Sequence, residues 1–127
     1  MIVVDAGVLA GALGADTESG DRARSRLRGE DLAAPAMIDL EVASVWRQTL
    51  AGDDRRAAIA LANLARLPLS RAGHLPLLER CWALRHNLTV YDAAYVALAE
   101  ALDVTLVTTD GRLSRASGVG CAVDVLS

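Results

Sequence analysis

The apolar residues fall into short blocks whose period changes along the chain. Residues 1–4, MIVV, form a continuous apolar run that meets Asp5 and then the small Ala6 and Gly7, which predicts a buried strand opening through a turn into a helix. From Ser19 to Gly29 the pattern is polar and Arg-rich, a helix stopped by Gly29. LAAPA (32–36) predicts a small second strand closed by Pro35. In IDLEVASVWRQTL (38–50), Ile38, Val42 and Val45 recur at helical spacing, with Leu40, Ala43 and Leu50 beside them. Gly52-Asp53-Asp54 breaks that helix, and RRAAIALANLARL (55–67) predicts another that ends before Pro68. A third strand is expected around 66–70. LPLLERCWALRHNL (75–88) reads as helical, with Pro76 near its first turn.

The last third is the most legible. TVYDAAYVALAEALD (89–103) predicts an Ala-rich helix with Tyr91, Tyr95, Leu98 and Leu102 on one stripe. VTLVTTD (104–110) is a strand by its β-branched residues and ends in an acid, GRLSRA (111–116) is a short helix, and CAVDVL (121–126) is a closing strand. Strands alternate with helices and no hairpin turn joins two strands. That order predicts one α/β domain, a parallel sheet with helices on both faces.

Composition narrows the chemistry. The chain has 127 residues, 53% of them hydrophobic, enough to bury roughly two-thirds of its unfolded surface. Charges interrupt every apolar run, so no span of about 20 apolar residues is present, and MIVVD has no basic flank of a leader peptide. A cytoplasmic domain is the expectation. All 13 basic residues are arginine. Without lysine, a P-loop and a Schiff-base enzyme are excluded, and a receiver domain is disfavoured. Cys81 and Cys121 show neither C-x-x-C nor zinc spacing and read as ordinary core thiols in a reducing compartment. The net charge of −3 does not advertise a nucleic-acid binder, and the scarce aromatics make no base-stacking platform. Alternating Arg22, Arg24, Arg26 and Arg28 read first as a solvated helix face.

Four acids stand out against their surroundings. Asp5 ends the first strand and Asp110 the VTLVTTD strand. In an open parallel sheet, ligands bind beyond the carboxyl ends of the strands, where strand order reverses. Glu41 interrupts an apolar stretch, and Asp92 opens the Ala-rich helix. Each has a plain alternative. Asp5 and Asp110 suit helix N-caps, Thr89 and Asp92 loosely match a capping box, and Glu41 suits a solvated helix face, with Asp39 the better ion-pair candidate. Four carboxylates packed together, however, repel one another unless a cation sits between them. All-oxygen ligands suit Mg²⁺ or Mn²⁺, and such sites hydrolyse phosphodiesters with no protein nucleophile.

MIVVDAGVL, the acid in IDLEVASVWR, YDAAYVALAEAL and LVTTDGRL resemble, in order and spacing, the PIN-domain ribonucleases, and at this length the toxins of the VapC type. The resemblance runs from residue 1 to 127, and its specific motifs are Y-D-x-x-Y-x-x-L-A and L-x-T-x-D-x-R-L. It implies a three-layer α/β/α sandwich with a parallel five-stranded sheet, a single PIN-like domain over 1–127. It carries the family's four acidic metal-site residues onto Asp5, Glu41, Asp92 and Asp110. The implied activity is Mg²⁺- or Mn²⁺-dependent endonucleolytic cleavage of structured RNA, stopping translation. The implied partners are a second copy of the chain and a small VapB-like antitoxin whose C-terminal segment blocks the acidic groove.

One position departs from the pattern: many relatives carry Ser or Thr two residues after the first Asp, where this chain has Gly7. Thr108 and Thr109 offer hydroxyls nearby in sequence. Arginines become candidates for RNA contact, Arg112 beside Asp110 and then Arg24 and Arg28, because an acidic cleft alone repels phosphate. A housekeeping RNA-processing nuclease and a catalytically silent interaction module are the competing expectations. A haloacid-dehalogenase-type phosphatase is set aside, since it wants a second Asp where Gly7 stands.

Overall fold

In the computed structural model, which describes residues 1–127, the apolar blocks become β1 (Ile2–Val4), β2 (Leu32–Pro35), β3 (Leu69–Ala72), β4 (Leu106–Thr108) and β5 (Val123–Val125). They pair in parallel in the order β3-β2-β1-β4-β5. Val3 lies opposite Ala33 on one side and Leu106 on the other, and Val4 lies opposite Val107. Strand order reverses at β1: the chain moves outward to β2 and β3, then returns to β4 on the other side. A crevice at the carboxyl ends of β1 and β4 follows from that reversal.

Seven helices cover the sheet: α1 (Ala6–Gly14), α2 (Glu18–Leu27), α3 (Ile38–Thr49), α4 (Asp54–Arg66), α5 (Leu78–Ala83), α6 (Val90–Leu102) and α7 (Gly111–Arg115). Right-handed crossovers put α1 to α4 on one face and α5 and α6 on the other. The contacts agree: α1 packs against α2, α3 and α4, while α6 packs against α5 and the central strands. The three-layer α/β/α arrangement is thus as the resemblance implies. Val3, Val4, Leu106, Val107 and Ala34 are fully buried between the layers. No helix is long and apolar enough to cross a membrane.

Several expectations shift. The third strand starts at Leu69, because α4 runs on to Arg66. The segment 75–88 is not one helix: Leu75–Leu77 form a 3-10 turn containing Pro76, α5 follows, and turns carry the chain to Leu88. The stripe on α6 is also wrong. Tyr95 and Leu98 are buried, whereas Tyr91 is 62% exposed and Leu102 42%. Every residue from Ala93 to Ala99 is buried, so the helix is covered all round in its middle and open at both ends. Leu40, placed with the apolar positions of α3, is 77% exposed. Cys81 is buried and Cys121 partly so, both free thiols.

The arginine run of α2 has structural duties. Arg24 donates to the carbonyls of Ala12 and Ala15, at 3.0 and 2.8 Å, at the end of α1. Arg26 pairs with Asp124 of β5 at 2.7 Å and Glu30 at 3.1 Å. Arg22 donates to the Ser127 carbonyl at 2.6 Å. These contacts fasten α2 to α1 and to the last strand.

Candidate active site

Asp5 leaves β1 and caps α1, its Oδ1 accepting the Val8 N–H at 2.9 Å. Its Oδ2 accepts the hydroxyl proton of Thr108, the last residue of β4. Thr108 is fully buried and in turn accepts the Asp110 N–H at 2.9 Å. One hydroxyl therefore ties the acid of β1 to the acid after β4 across the switch point. Burial pushes the Asp5 carboxyl above the usual carboxylate range, and the negative charge of Asp110 adds to that push. Hydrogen bonds from Thr108, Val8 and Thr109 pull the other way.

Asp110 caps α7, accepting the Arg112 N–H at 3.0 Å, and the Arg112 guanidinium folds back onto the same carboxylate at 2.6 Å. That hydrogen-bonded pair holds Asp110 below the usual carboxylate range. Glu41 lies in the first turn of α3 and accepts the Tyr95 hydroxyl of α6 at 2.5 Å. Because α3 and α6 cover opposite faces, this bond spans the carboxyl edge of the sheet. Burial, the Glu41 bond, and the charges of Glu41, Asp5 and Asp92 all push the Tyr95 phenol well up. Three of the four acids thus surround one phenol, and the fourth is joined to Asp5 through Thr108. Asp92, in the first turn of α6, accepts no hydrogen bond from the protein; Thr89 caps its N–H at 3.1 Å.

All four candidate acids therefore reach one edge, each partly buried. They do not form a ready-made chelate: no three Asp, Glu, His or Cys side chains are gathered as a metal-holding group. The reason is visible in the partners, since Asp110 is turned onto Arg112 and Glu41 onto Tyr95. The donor chemistry fits a hard divalent ion, being all carboxylate oxygen, with Asp5 and Asp110 partly buried and repelling each other. A cation held by all four would have to draw Asp110 from its arginine.

The plain alternatives hold in part: Asp5 and Asp110 do cap helices, Thr89 caps the Asp92 N–H without the reciprocal bond of a capping box, and Asp39 does pair with Arg71 at 2.7 Å. Glu41 is not a solvated residue. Gly7 also finds its explanation: a Cβ there would lie 2.9 Å from the Thr109 hydroxyl, so that hydroxyl fills the space beside Asp5 that a residue-7 side chain would need. Arg112 stands at the acids. Arg24 and Arg28 do not reach them: Arg24 is bound to α1, and Arg28 follows α2 just before β2 begins, at the opposite edge of the sheet. In the sequence Tyr95 stands as a stripe position and as the second tyrosine of Y-D-x-x-Y, with no partner indicated. Its hydrogen-bond partner Glu41 comes from a distant segment, so spacing carries no trace of the link.

The PIN domain family model matches residues 2–119. The chain is 41% identical over 128 residues to ribonuclease VapC1 of Mycobacterium tuberculosis, covering 98% of this chain and 96% of that protein. The chain belongs to the PIN-domain family. Within the PIN domains it is of the VapC type, as a second relative also indicates: M. tuberculosis ribonuclease VapC9, 43% identical over 130 residues, with 99% of this chain and 98% of VapC9 covered. Among solved PIN-type structures, M. tuberculosis VapC20, described as a sarcin-ricin loop cleaving toxin, aligns with TM-score 0.72 at 19% identity, covering 94% of this chain and 96% of its own. VapBC2 of Rickettsia felis, solved with a DNA fragment from its promoter, gives TM-score 0.72 at 13% identity, covering both chains fully. At such identities the two structures speak for the PIN fold.

Proposed function

We propose that this chain is the ribonuclease toxin of a toxin–antitoxin pair, a metal-dependent endonuclease that hydrolyses phosphodiesters of structured RNA. The observation that carries the proposal is the gathering of Asp5, Glu41, Asp92 and Asp110 around Tyr95 and Thr108 at the switch point of the sheet. Asp5, Asp92 and Asp110, with Glu41, would hold Mg²⁺ or Mn²⁺. The chemistry such an ion supplies when bound is polarisation of the phosphate and a lowered pKa for an attacking water.

The chain's own groups do the rest. Thr108 and the α1 N-terminus fix the Asp5 carboxylate at two oxygens. Tyr95 orients Glu41 from across the edge. Arg112, released from Asp110, is placed to face a phosphate oxygen and offset the charge that grows in the transition state. In the hydrolysis a water oxygen forms the new bond to phosphorus, and one bridging oxygen leaves with the electron pair of the broken bond and takes a proton. An antitoxin seated over the acidic edge would block all of this, and a second copy of the chain is the expected partner within the complex. The ribonuclease names of the relatives support the activity, and the description of VapC20 as a toxin supports the toxin reading by family likeness.

The test is thermal unfolding in EDTA and then with Mg²⁺ or Mn²⁺, with the Asp5→Asn/Asp92→Asn variant alongside and RNA cleavage measured in parallel. Binding to the native state alone raises stability by about 2.7 kcal/mol at a hundredfold excess over Kd. The parent should rise and cleave, and the variant should do neither. The helix caps made by Asp5 and Asp110 favour a second reading, a silent interaction module. Equal behaviour of both proteins with metal, and no cleavage, would decide for it.

A further inference from the structure

Beside the acids, on the α5/α6 side, lies a cleft of about 350 Å³ whose walls include Arg85, His86, Thr89, Asp92 and Arg112. Asp92 lines it, so it adjoins the acidic edge described above, and Arg85, His86 and Arg112 line the same cleft. In the sequence His86 stands in no catalytic-looking context, and neither it nor Arg85 belongs to a motif or a charge run.

The basic lining is built rather than incidental. Arg85 has no carboxylate within 4.0 Å, in contrast to Arg22, Arg24, Arg26, Arg71, Arg80 and Arg112, which are all paired. Its guanidinium lies 4.5 Å above the centre of the Trp82 ring, and its Nη1 donates to the Trp82 carbonyl at 2.9 Å. The indole therefore orders the side chain without neutralising it. The loop beneath is anchored as well. Leu84 and Leu88 are buried, the Leu88 N–H donates to the Leu84 carbonyl at 3.0 Å, and the Asn87 amide donates to the Ser117 carbonyl at 2.9 Å. An unpaired, pre-positioned cation and an exposed imidazole, in one cleft with Asp92 of the acidic edge, suit a polyanion that runs from that edge into the cleft.

We propose that this cleft seats the phosphodiester adjacent to the one cleaved, on a single-stranded stretch of RNA. The inference rests on the ribonuclease reading. Arg85 and His86 take the non-bridging oxygens of the flanking phosphate, by charge and by a ring N–H. Arg112, which lines the cleft and pairs with Asp110, takes the oxygens shared with the scissile group once it leaves that carboxylate. The outer face of the Trp82-backed guanidinium is the surface on which an unstacked base rests. The acidic edge repels the strand, and the basic lining supplies the compensating attraction that holds it there.

The test compares the parent protein with Arg85→Gln, His86→Ala and the double variant, each checked for an unchanged melting temperature. Arg66→Gln, at the end of α4 on the far edge of the sheet, removes the same charge as a control. Two quantities are read on one short single-stranded RNA oligonucleotide: KM and kcat for cleavage with Mn²⁺, and Kd against salt in an Asp5→Asn background. The expected result is a KM and Kd raised about tenfold by Arg85→Gln with kcat within about twofold. The slope of log Kd against log salt should fall by about 0.7 for each lost phosphate contact. Arg66→Gln should match the parent. Variants that cleave and bind like the parent would overturn the subsite while leaving the nuclease intact. Loss of affinity for the antitoxin with unchanged RNA affinity would assign the cleft to a protein instead and overturn it too. A parent that neither binds nor cleaves RNA would bring down the ribonuclease reading itself.

Discussion

Asp5 is partly buried, and that burial works against its charge. The burial that lifts its carboxyl above the ordinary range penalises the ionised form in the folded state. A raised folded value means the penalty is present at neutral pH and fades as pH falls through it. Asp5→Asn keeps a competent N-cap and loses the charge, so in EDTA it should melt at a higher temperature than the parent near neutral pH. The gap should narrow on acidification, and a lower melting temperature at neutral pH would contradict this account. Tyr95→Phe acts the other way. It leaves the half-buried Glu41 without its donor, and a hydrogen bond to a charged group is worth about 1.5–3 kcal/mol; urea unfolding should show a loss of that order. Arg112 competes for Asp110, so Arg112→Gln should bind Mn²⁺ more tightly than the parent by calorimetry. Weaker binding would show that the guanidinium supports the acids instead.

At the scale of elements, the close crossing of α1 and α2 depends on glycine. A Cβ at Gly20 would meet the Ala15 carbonyl oxygen at 2.3 Å, and that oxygen is backbone, unable to rotate away. Gly20→Ala should therefore destabilise by about 1–3 kcal/mol, the cost of forcing two packed helices apart. Gly11, in the middle of α1, has nothing within 4 Å of its added Cβ. Gly11→Ala should raise stability by about 0.5–1 kcal/mol through helix propensity. Chemical denaturation of the two variants side by side checks both. Legibility differed by element for the same kind of reason. The β-branched block before Asp110 and the Ala-rich block after Asp92 were readable because each is buried on all sides and therefore nearly continuous. The segment 75–88 was misread because Leu75 and Leu78 are exposed, so their apolar spacing counted toward a helix that packing does not require.

Across the whole molecule, the charge of −3 conceals a division of labour among arginines. Those of α2 are fastened to carbonyls and carboxylates and hold the last strand in place. Arg85 and Arg112 stand at the acidic edge, and His86 beside them. If phosphate contacts are made by this local group, RNA affinity should fall with salt at a log–log slope of about −1.4 to −2, as two to three contacts give for a single strand. A much steeper slope would mean that other arginines take part.

The amino-acid order by itself determined the alternation of strand and helix, the parallel sheet, and which four carboxylates were out of place, because burial period and an acid in an apolar setting are local properties. Where those acids point was decided by tertiary structure. Strand order had to reverse between β1 and β4 before Asp5 and Asp110 could share Thr108, and α3 and α6 had to cover opposite faces before Tyr95 could reach Glu41. The same holds for the basic cleft. Arg85 and His86 lie in the turn after α5 and Arg112 in α7, and they line one cleft only where the sheet brings those segments together, a meeting that no period along the chain encodes.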